Sequence, residues 1–265
     1  MLGKSHGAMA LRLYVTGSVG IENGTLVMGE RSFPGNQGRL VFAMLACERR
    51  RPVARDELAD WLWGEELPEA WAAGLSAIVS KLRALFAKAG LPRDGAIDQT
   101  FGAYRLQLPP GAWIDVEAAE IHLELAEAAK NRGAPMDGYG DALTTYMICR
   151  RPLLAGEENA WLERKRRELA VLLVRALDCL VDVYAGGEKR ALAIKFAEEA
   201  LDIDPYNEWF YRKLIALHAS DGNRGAAARA FTRCKKLLAD DLGIAPSEAT
   251  EAAYAAALHE KGTPL

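Results

Sequence analysis

The chain has 265 residues, with 33 lysines and arginines against 36 aspartates and glutamates and a formal net charge of -3. Half of the residues are hydrophobic and 26% are charged, a balance that excludes wholesale disorder and suits one large domain or two modest ones. The near-neutral sum argues against a protein that coats nucleic acid by bulk charge.

Residues 1–10 lack the apolar stretch of a signal peptide and read as a disordered leader or a tag remnant. Gly3-Lys4-Ser5 echoes the end of a phosphate loop but has no upstream glycine or strand to complete it. From Leu11 the pattern is that of a sheet. Leu11, Leu13, Val15, Val19 and Ile21 alternate with other residues, Asn23-Gly24 marks a hairpin turn, and Leu26 to Met28 form the return strand. Phe33-Pro34-Gly35-Asn36 breaks the sheet, and a helix follows from about Gln37 to Cys47 with Leu40, Val41, Met44 and Leu45 on one face. Arg49-Arg50-Arg51-Pro52 ends it. A second helix, about Arg55 to Leu62, is expected to bury Leu58, Trp61 and Leu62, with Gly64 as a left-handed cap. A third, about Ala70 to Ala89, carries Leu75, Ile78, Val79, Leu82, Leu85 and Phe86 on its apolar side. Two short strands then flank Gly102, near Ile97-Asp98 and over Tyr104 to Leu108. Sheet, three helices and hairpin together are the layout of a winged helix-turn-helix with an N-terminal sheet, the third helix being the groove reader and the hairpin the wing.

Pro109-Pro110-Gly111 marks a boundary, after which strand signals cease and seven helices are expected, at about 115–131, 137–149, 159–185, 189–202, 207–220, 224–240 and 247–260. Ala193, Ala197 and Ala200 recur 34 residues later as Ala227, Phe231 and Cys234. Leu177, Leu180 and Tyr184 recur as Tyr211, Leu214 and His218. Small residues let paired helices approach and larger ones fill between pairs, which predicts stacked tetratricopeptide-like hairpins with a groove for a protein partner. The expected fold is therefore α+β over 11–108 and all-α over 109–265. Cys47, Cys149, Cys179 and Cys234 have no metal-ligand spacing and read as buried residues of a reducing cytoplasm. His6, His122, His218 and His259 are equally scattered. No apolar run reaches the roughly 20 residues of a membrane span, and no catalytic motif stands in a usable context. Neither a cofactor, a metal nor an enzymatic activity is expected.

Ordered motifs along most of the chain resemble the short bacterial transcriptional activators of the antibiotic-regulatory-protein type (SARP-like). In the first half these are Gln37-Gly38-Arg39-Leu40, Leu62-Trp63-Gly64-Glu65, Val79-Ser80-Lys81-Leu82-Arg83 and Gly102-Ala103-Tyr104-Arg105-Leu106. In the second half they are Arg151-Pro152-Leu153, Trp161-Leu162-Glu163, Asp204-Pro205, Glu208, Tyr211-Arg212 and Leu242 to Ser247. The resemblance implies a response-regulator-type winged helix joined to a bacterial transcriptional activator domain. It further implies contact with double-stranded promoter DNA, two protomers side by side on direct repeats, and recruitment of RNA polymerase or its sigma factor in the cytoplasm. Without further ATPase or sensor modules, the chain is expected to be one of the small members.

Three positions depart from the family pattern. Ala73 stands where a polar base-reading residue is usual, Ala54 replaces a Ser or Thr helix cap, and Phe101 replaces an arginine before the wing glycine. The candidate DNA contacts are Ser76, Ser80, Lys81 and Arg83 on the third helix, Arg105 on the wing, the run Arg49, Arg50 and Arg51, and Arg55 at the head of the second helix. Each has a plainer alternative: Lys81 and Arg83 as a solvated helix face, and the arginine run as cations answering a helix C-terminus. Phe101 could wedge against sugar or base, or mark a protein contact, but packing under the hairpin is the expectation. Residues 11–108 hold 12 basic against 11 acidic residues, and with Lys4 adding one positive charge the helical half carries -5. A protein-interaction adaptor with a weakened winged helix is the second reading.

Overall fold

In this computed structural model the structure describes residues 11–93, 95–187 and 189–259, so the leader expected at 1–10 lies outside the described residues. The chain forms two compact units: Met1–Glu120 with Ile148–Leu169, and Ile121–Met147 with Ala170–Leu265.

The first unit opens on strands β1 (Arg12–Tyr14), β2 (Gly20–Asn23) and β3 (Leu26–Met28), which form a four-stranded sheet of order β3-β2-β1-β7 with β7 (Trp113–Ile114). The alternation of Leu11, Leu13, Val15, Val19 and Ile21 buries all five, but over two antiparallel strands rather than one. The hairpin register pairs Asn23 with Leu26 and leaves Gly24 and Thr25 as the loop, one residue later than expected. Asn23 is thus a strand residue, and its amide donates to the Ala89 carbonyl at 2.7 Å. β7 was not foreseen. It lies beyond Pro109-Pro110-Gly111, where strands were expected to cease, and it runs parallel to β1. Two residues are too few to show a period.

Helices α1 (Gly35–Cys47), α2 (Arg55–Trp63) and α3 (Trp71–Lys88) follow, with strand β4 (Val53–Ala54) between the first two. α1 is buried all round from Leu40 to Ala46, beyond the single face expected. α2 buries Leu58 and Ala59, while Trp61 and Leu62 are only half-buried. Gly64 does take a positive φ of 54°, but its ψ of -127° is not that of a left-handed helical cap. α3 buries Leu75, Ile78, Val79, Leu82, Leu85 and Phe86, the six residues read from its 3.6-residue period. Strands β5 (Ile97–Thr100) and β6 (Ala103–Leu106) form the wing, and β4 pairs onto β6 to give a second sheet of order β4-β6-β5.

The remaining helices are α4 (Asp115–Asn131), α5 (Tyr139–Cys149), α6 (Ala160–Ala185), α7 (Arg190–Ile203), α8 (Glu208–Ser220), α9 (Arg224–Leu237) and α10 (Glu248–His259). α9 continues as a π-helical turn, Leu238–Leu242, which ends on left-handed Gly243. The N-terminal turn of α4 and residues 148–169 belong to the first unit. There, buried Asp115 accepts from the Val15 amide and from both the amide and hydroxyl of Thr16, at 2.8–3.0 Å. Arg166 donates to the carbonyls of Leu153, Leu154 and Glu157. In the second unit the 34-residue repeat is a packing repeat: Ala193, Ala197 and Ala200 on α7 and Ala227 and Cys234 on α9 are fully buried. Phe231 stacks on Tyr254 with ring centroids 4.2 Å apart. Gly138 is needed because any Cβ there would lie 2.9 Å from the Ala126 backbone. No described helix is long and apolar enough to cross a membrane.

Candidate nucleic-acid interface

The face of α3 opposite its apolar stripe is open. Ala73, Gly74, Ser76, Ala77, Ser80, Lys81, Ala87 and Lys88 are all exposed. Helical periodicity forces this: one side of the turn is taken by the core, and the residues left over are small or hydroxylated. Lys81 and Ser80 have no side-chain partner among the described residues. Ser76 donates its hydroxyl to the Ala72 carbonyl at 2.8 Å and keeps its lone pairs outward. The result is a smooth surface on which a double helix can approach the backbone closely, with one cation and two hydroxyls in its middle. Ala73 offers neither donor nor acceptor, so the polar groups at the centre of this face are the Ser76 and Ser80 hydroxyls and the Lys81 ammonium.

The other candidates are held by the protein itself. Arg83 donates through Nε and Nη2 to the Ile97 carbonyl, at 3.0 and 2.8 Å, and so ties α3 to the first strand of the wing. Arg105 reaches the carbonyls of Arg49 and Arg50 beyond the end of α1. Arg49 makes a two-pronged pair with Glu117 at 2.8 and 2.7 Å, and Arg50 pairs with Glu120 at 3.0 Å. Arg51 engages Glu57 through two bonds and Glu48 through a third, with its guanidinium 5.6 Å from the Trp61 ring centroid. The Glu57 hydrogen bonds hold the Arg51 guanidinium above its ordinary range, against its partial burial. The same bonds lower Glu57. Burial pushes Glu48 upward, but hydrogen bonds from Lys165 and Arg51 outweigh it and leave the carboxyl below its ordinary range. Each arginine of the triplet is therefore paired with a carboxylate, a partnership that neither role read from its sequence included. Its main carboxylates lie up to 70 residues away, on α4, where local pattern could not find them.

Arg55 sits where the second helix starts. Its Nη2 donates to the Ala72 carbonyl at 3.1 Å and approaches the Ser76 hydroxyl at 3.4 Å, and the guanidinium lies 5.8 Å from the Trp71 ring centroid. Its Nε is buried with no protein partner. The missing side-chain cap at Ala54 is replaced by the wing: the Arg55 amide donates to the Gly102 carbonyl at 3.0 Å.

The wing tip corrects an expectation. Strand register pairs Thr100 with Ala103, so Phe101 and Gly102 alone form the loop, with φ of 50° and 76°. Two-residue hairpin loops of this kind require positive φ at both positions, and asparagine or glycine meets that at least cost. An aromatic residue held there costs about 1–2 kcal/mol. Phe101 does not pack under the hairpin. Its relative exposure is 104%.

Residues 114–258 match the bacterial transcriptional activator domain family. The transcriptional regulatory protein EmbR of Mycobacterium tuberculosis is 29% identical over 222 residues, covering 78% of this chain and 54% of that protein. The regulatory protein DnrI of Streptomyces peucetius is 30% identical, covering 79% of each chain. The regulatory protein AfsR of Streptomyces coelicolor is 26% identical over 79% of this chain and 20% of its own length. The solved structure of M. tuberculosis EmbR in complex with a low affinity phosphopeptide superposes with a TM-score of 0.83 at 25% identity, over 96% of this chain and 66% of that one. The chain thus spans about half the length of the EmbR proteins it matches. With a winged helix-turn-helix preceding a matched helical region that makes up more than half of the sequence, the chain belongs to the SARP-like family of bacterial transcriptional activator domain proteins.

Proposed function

We propose that this protein is a DNA-binding transcriptional activator working in the cytoplasm by physical recruitment rather than by catalysis. In this reading residues 11–108 contact double-stranded promoter DNA and residues 109–265 contact RNA polymerase or its sigma factor. The observation that carries it is the open face of α3: an amphipathic helix whose polar side has been left bare, with Lys81 at its centre, while Arg55 and Arg83 beside it donate to backbone carbonyls. Such a face fits the major groove, with Lys81 neutralising phosphate and Ser76 and Ser80 within reach of base edges. Two protomers on adjacent repeats would raise the modest affinity of so few contacts through effective concentration. The relatives' names as regulators support this reading.

The test is a mobility shift on duplexes enriched from a random pool by the full chain, with a salt titration. Specific retention that weakens in Lys81→Ala supports the proposal. No specific retention at moderate salt by the wild-type chain overturns it. The pairing of Arg49, Arg50 and Arg51 with carboxylates favours a second reading, an adaptor that works through its helical repeats alone. Co-purification of a stable protein partner with a chain that binds no duplex would establish that reading instead.

A further inference from the structure

The wing tip combines a strained backbone with a fully exposed ring, and no feature of the fold uses that ring. Phe101 has a φ of 50° at a loop position that asparagine or glycine fills at less cost, and its side chain buries nothing. The loop's immediate neighbours supply no cation: residues 95–104 contain no lysine or arginine, and Arg105, further along β6, donates to the Arg49 and Arg50 carbonyls. The one acidic side chain there, Asp98, accepts from the Thr100 hydroxyl at 2.8 Å. The tip of this wing therefore offers a polyanion no cation of its own.

The loop's position is fixed. The Gly102 carbonyl accepts the Arg55 amide, and the Arg55 guanidinium reaches Ala72 and Ser76 on the open face of α3. The wing tip, Arg55 and the hydroxyl of Ser76 are thus linked by consecutive contacts in the first unit, so a duplex seated on α3 has the wing tip at its flank. There the adjoining minor groove, about 6 Å wide, presents base edges whose hydrogen-bonding pattern is degenerate. Apolar side chains entering such a groove partly unstack a base step and kink the duplex toward the major groove.

We infer that Phe101 is an apolar wedge that this chain places in the minor groove beside its α3 site, replacing charge with shape at the wing. The inference rests on the DNA-binding reading above. Specificity then comes partly from how easily a base step deforms, so flexible pyrimidine–purine steps at one flank of the site are preferred.

The experiment uses the full chain, Phe101→Asn and Phe101→Leu, with a 30-bp duplex enriched from a random pool by the wild-type protein. Asparagine keeps the turn and relieves the strain; leucine keeps an apolar side chain. Affinity is read by fluorescence anisotropy, folding by the thermal midpoint, and unstacking by 2-aminopurine placed at successive flanking steps. The expected result is an affinity loss of about tenfold or more for Phe101→Asn and a smaller one for Phe101→Leu. The midpoint of Phe101→Asn should be equal to or above wild type, and 2-aminopurine should brighten at one step with wild type alone. Binding of Phe101→Asn within twofold of wild type overturns the wedge and leaves DNA binding intact. A lowered midpoint also overturns it, because the ring would then serve the fold. A wild-type chain that enriches no duplex overturns both the wedge and the reading beneath it.

Discussion

The arginine triplet at 49–51 and the open face of α3 are two basic features of one unit, and they behave in opposite ways. The triplet is the denser run, yet each guanidinium faces a carboxylate: Glu117, Glu120, or Glu57 with Glu48. The α3 face has one lysine at its centre, and that lysine is unengaged among the described residues. What a ligand meets is therefore set by which charges the fold leaves uncompensated. A near-neutral protein can still bind a polyanion where its acids are spent on internal pairs away from the contact surface.

That contrast can be broken most sharply within α3 itself. Leu82→Ala removes a fully buried side chain from the face opposite Lys81 and should lower stability by about 2–5 kcal/mol, read as a reduced urea midpoint. Arg49→Ala tests whether the triplet is structural. The pair is 31% and 14% exposed, so after allowance for screening the loss should be about 1–2 kcal/mol. Glu117→Ala should give a similar loss, and the double variant less than the sum. Equal stability with weakened DNA binding would instead make Arg49 a phosphate contact. Lys81→Ala should leave stability within about 0.5 kcal/mol of wild type. In the same variant, one lost phosphate contact should flatten the salt dependence of duplex binding by about 0.9 in log–log slope.

The smallest effect is on pH dependence. Glu57 and Glu48 are lowered in the fold, so their contribution is fully present above the ordinary carboxylate value of 4.5 and is lost as pH falls through the folded value. Glu57→Gln should therefore make unfolding less acid-sensitive below pH 4.5 than in wild type. An unchanged acid transition would show that the Arg51 pair contributes nothing to the folded state.

Much of this was legible in the amino-acid order, and the exceptions share a cause. The buried face of α3 follows from its six apolar residues because helical periodicity is local, and the wing follows from two short strands around a glycine. The pairing of Arg49 with Glu117 spans 68 residues and leaves no local trace. Arg83 has the spacing of a surface residue, yet it turns to the Ile97 carbonyl because the wing offers an unpaired acceptor there. Phe101 was misread for a different reason. Aromatic residues bury on average, but strand register confines this one to a two-residue loop that cannot tuck it in.

The Asp115 carboxylate has a consequence for the order in which the protein can be made. Its donors, Val15 and Thr16, are synthesised about a hundred residues earlier, and β1 must wait as long for its parallel neighbour β7. The Gly17 amide waits longer still, for the Pro152 carbonyl at 2.8 Å. On the ribosome, the N-terminal sheet thus stays open until β7 has emerged, and non-local closure of this kind is slow. A chain stopped after Leu108 would hold all three helices and the wing but would lack Asp115, β7 and the Arg166 clasp, so the first unit cannot take its final form before the helical half is under way.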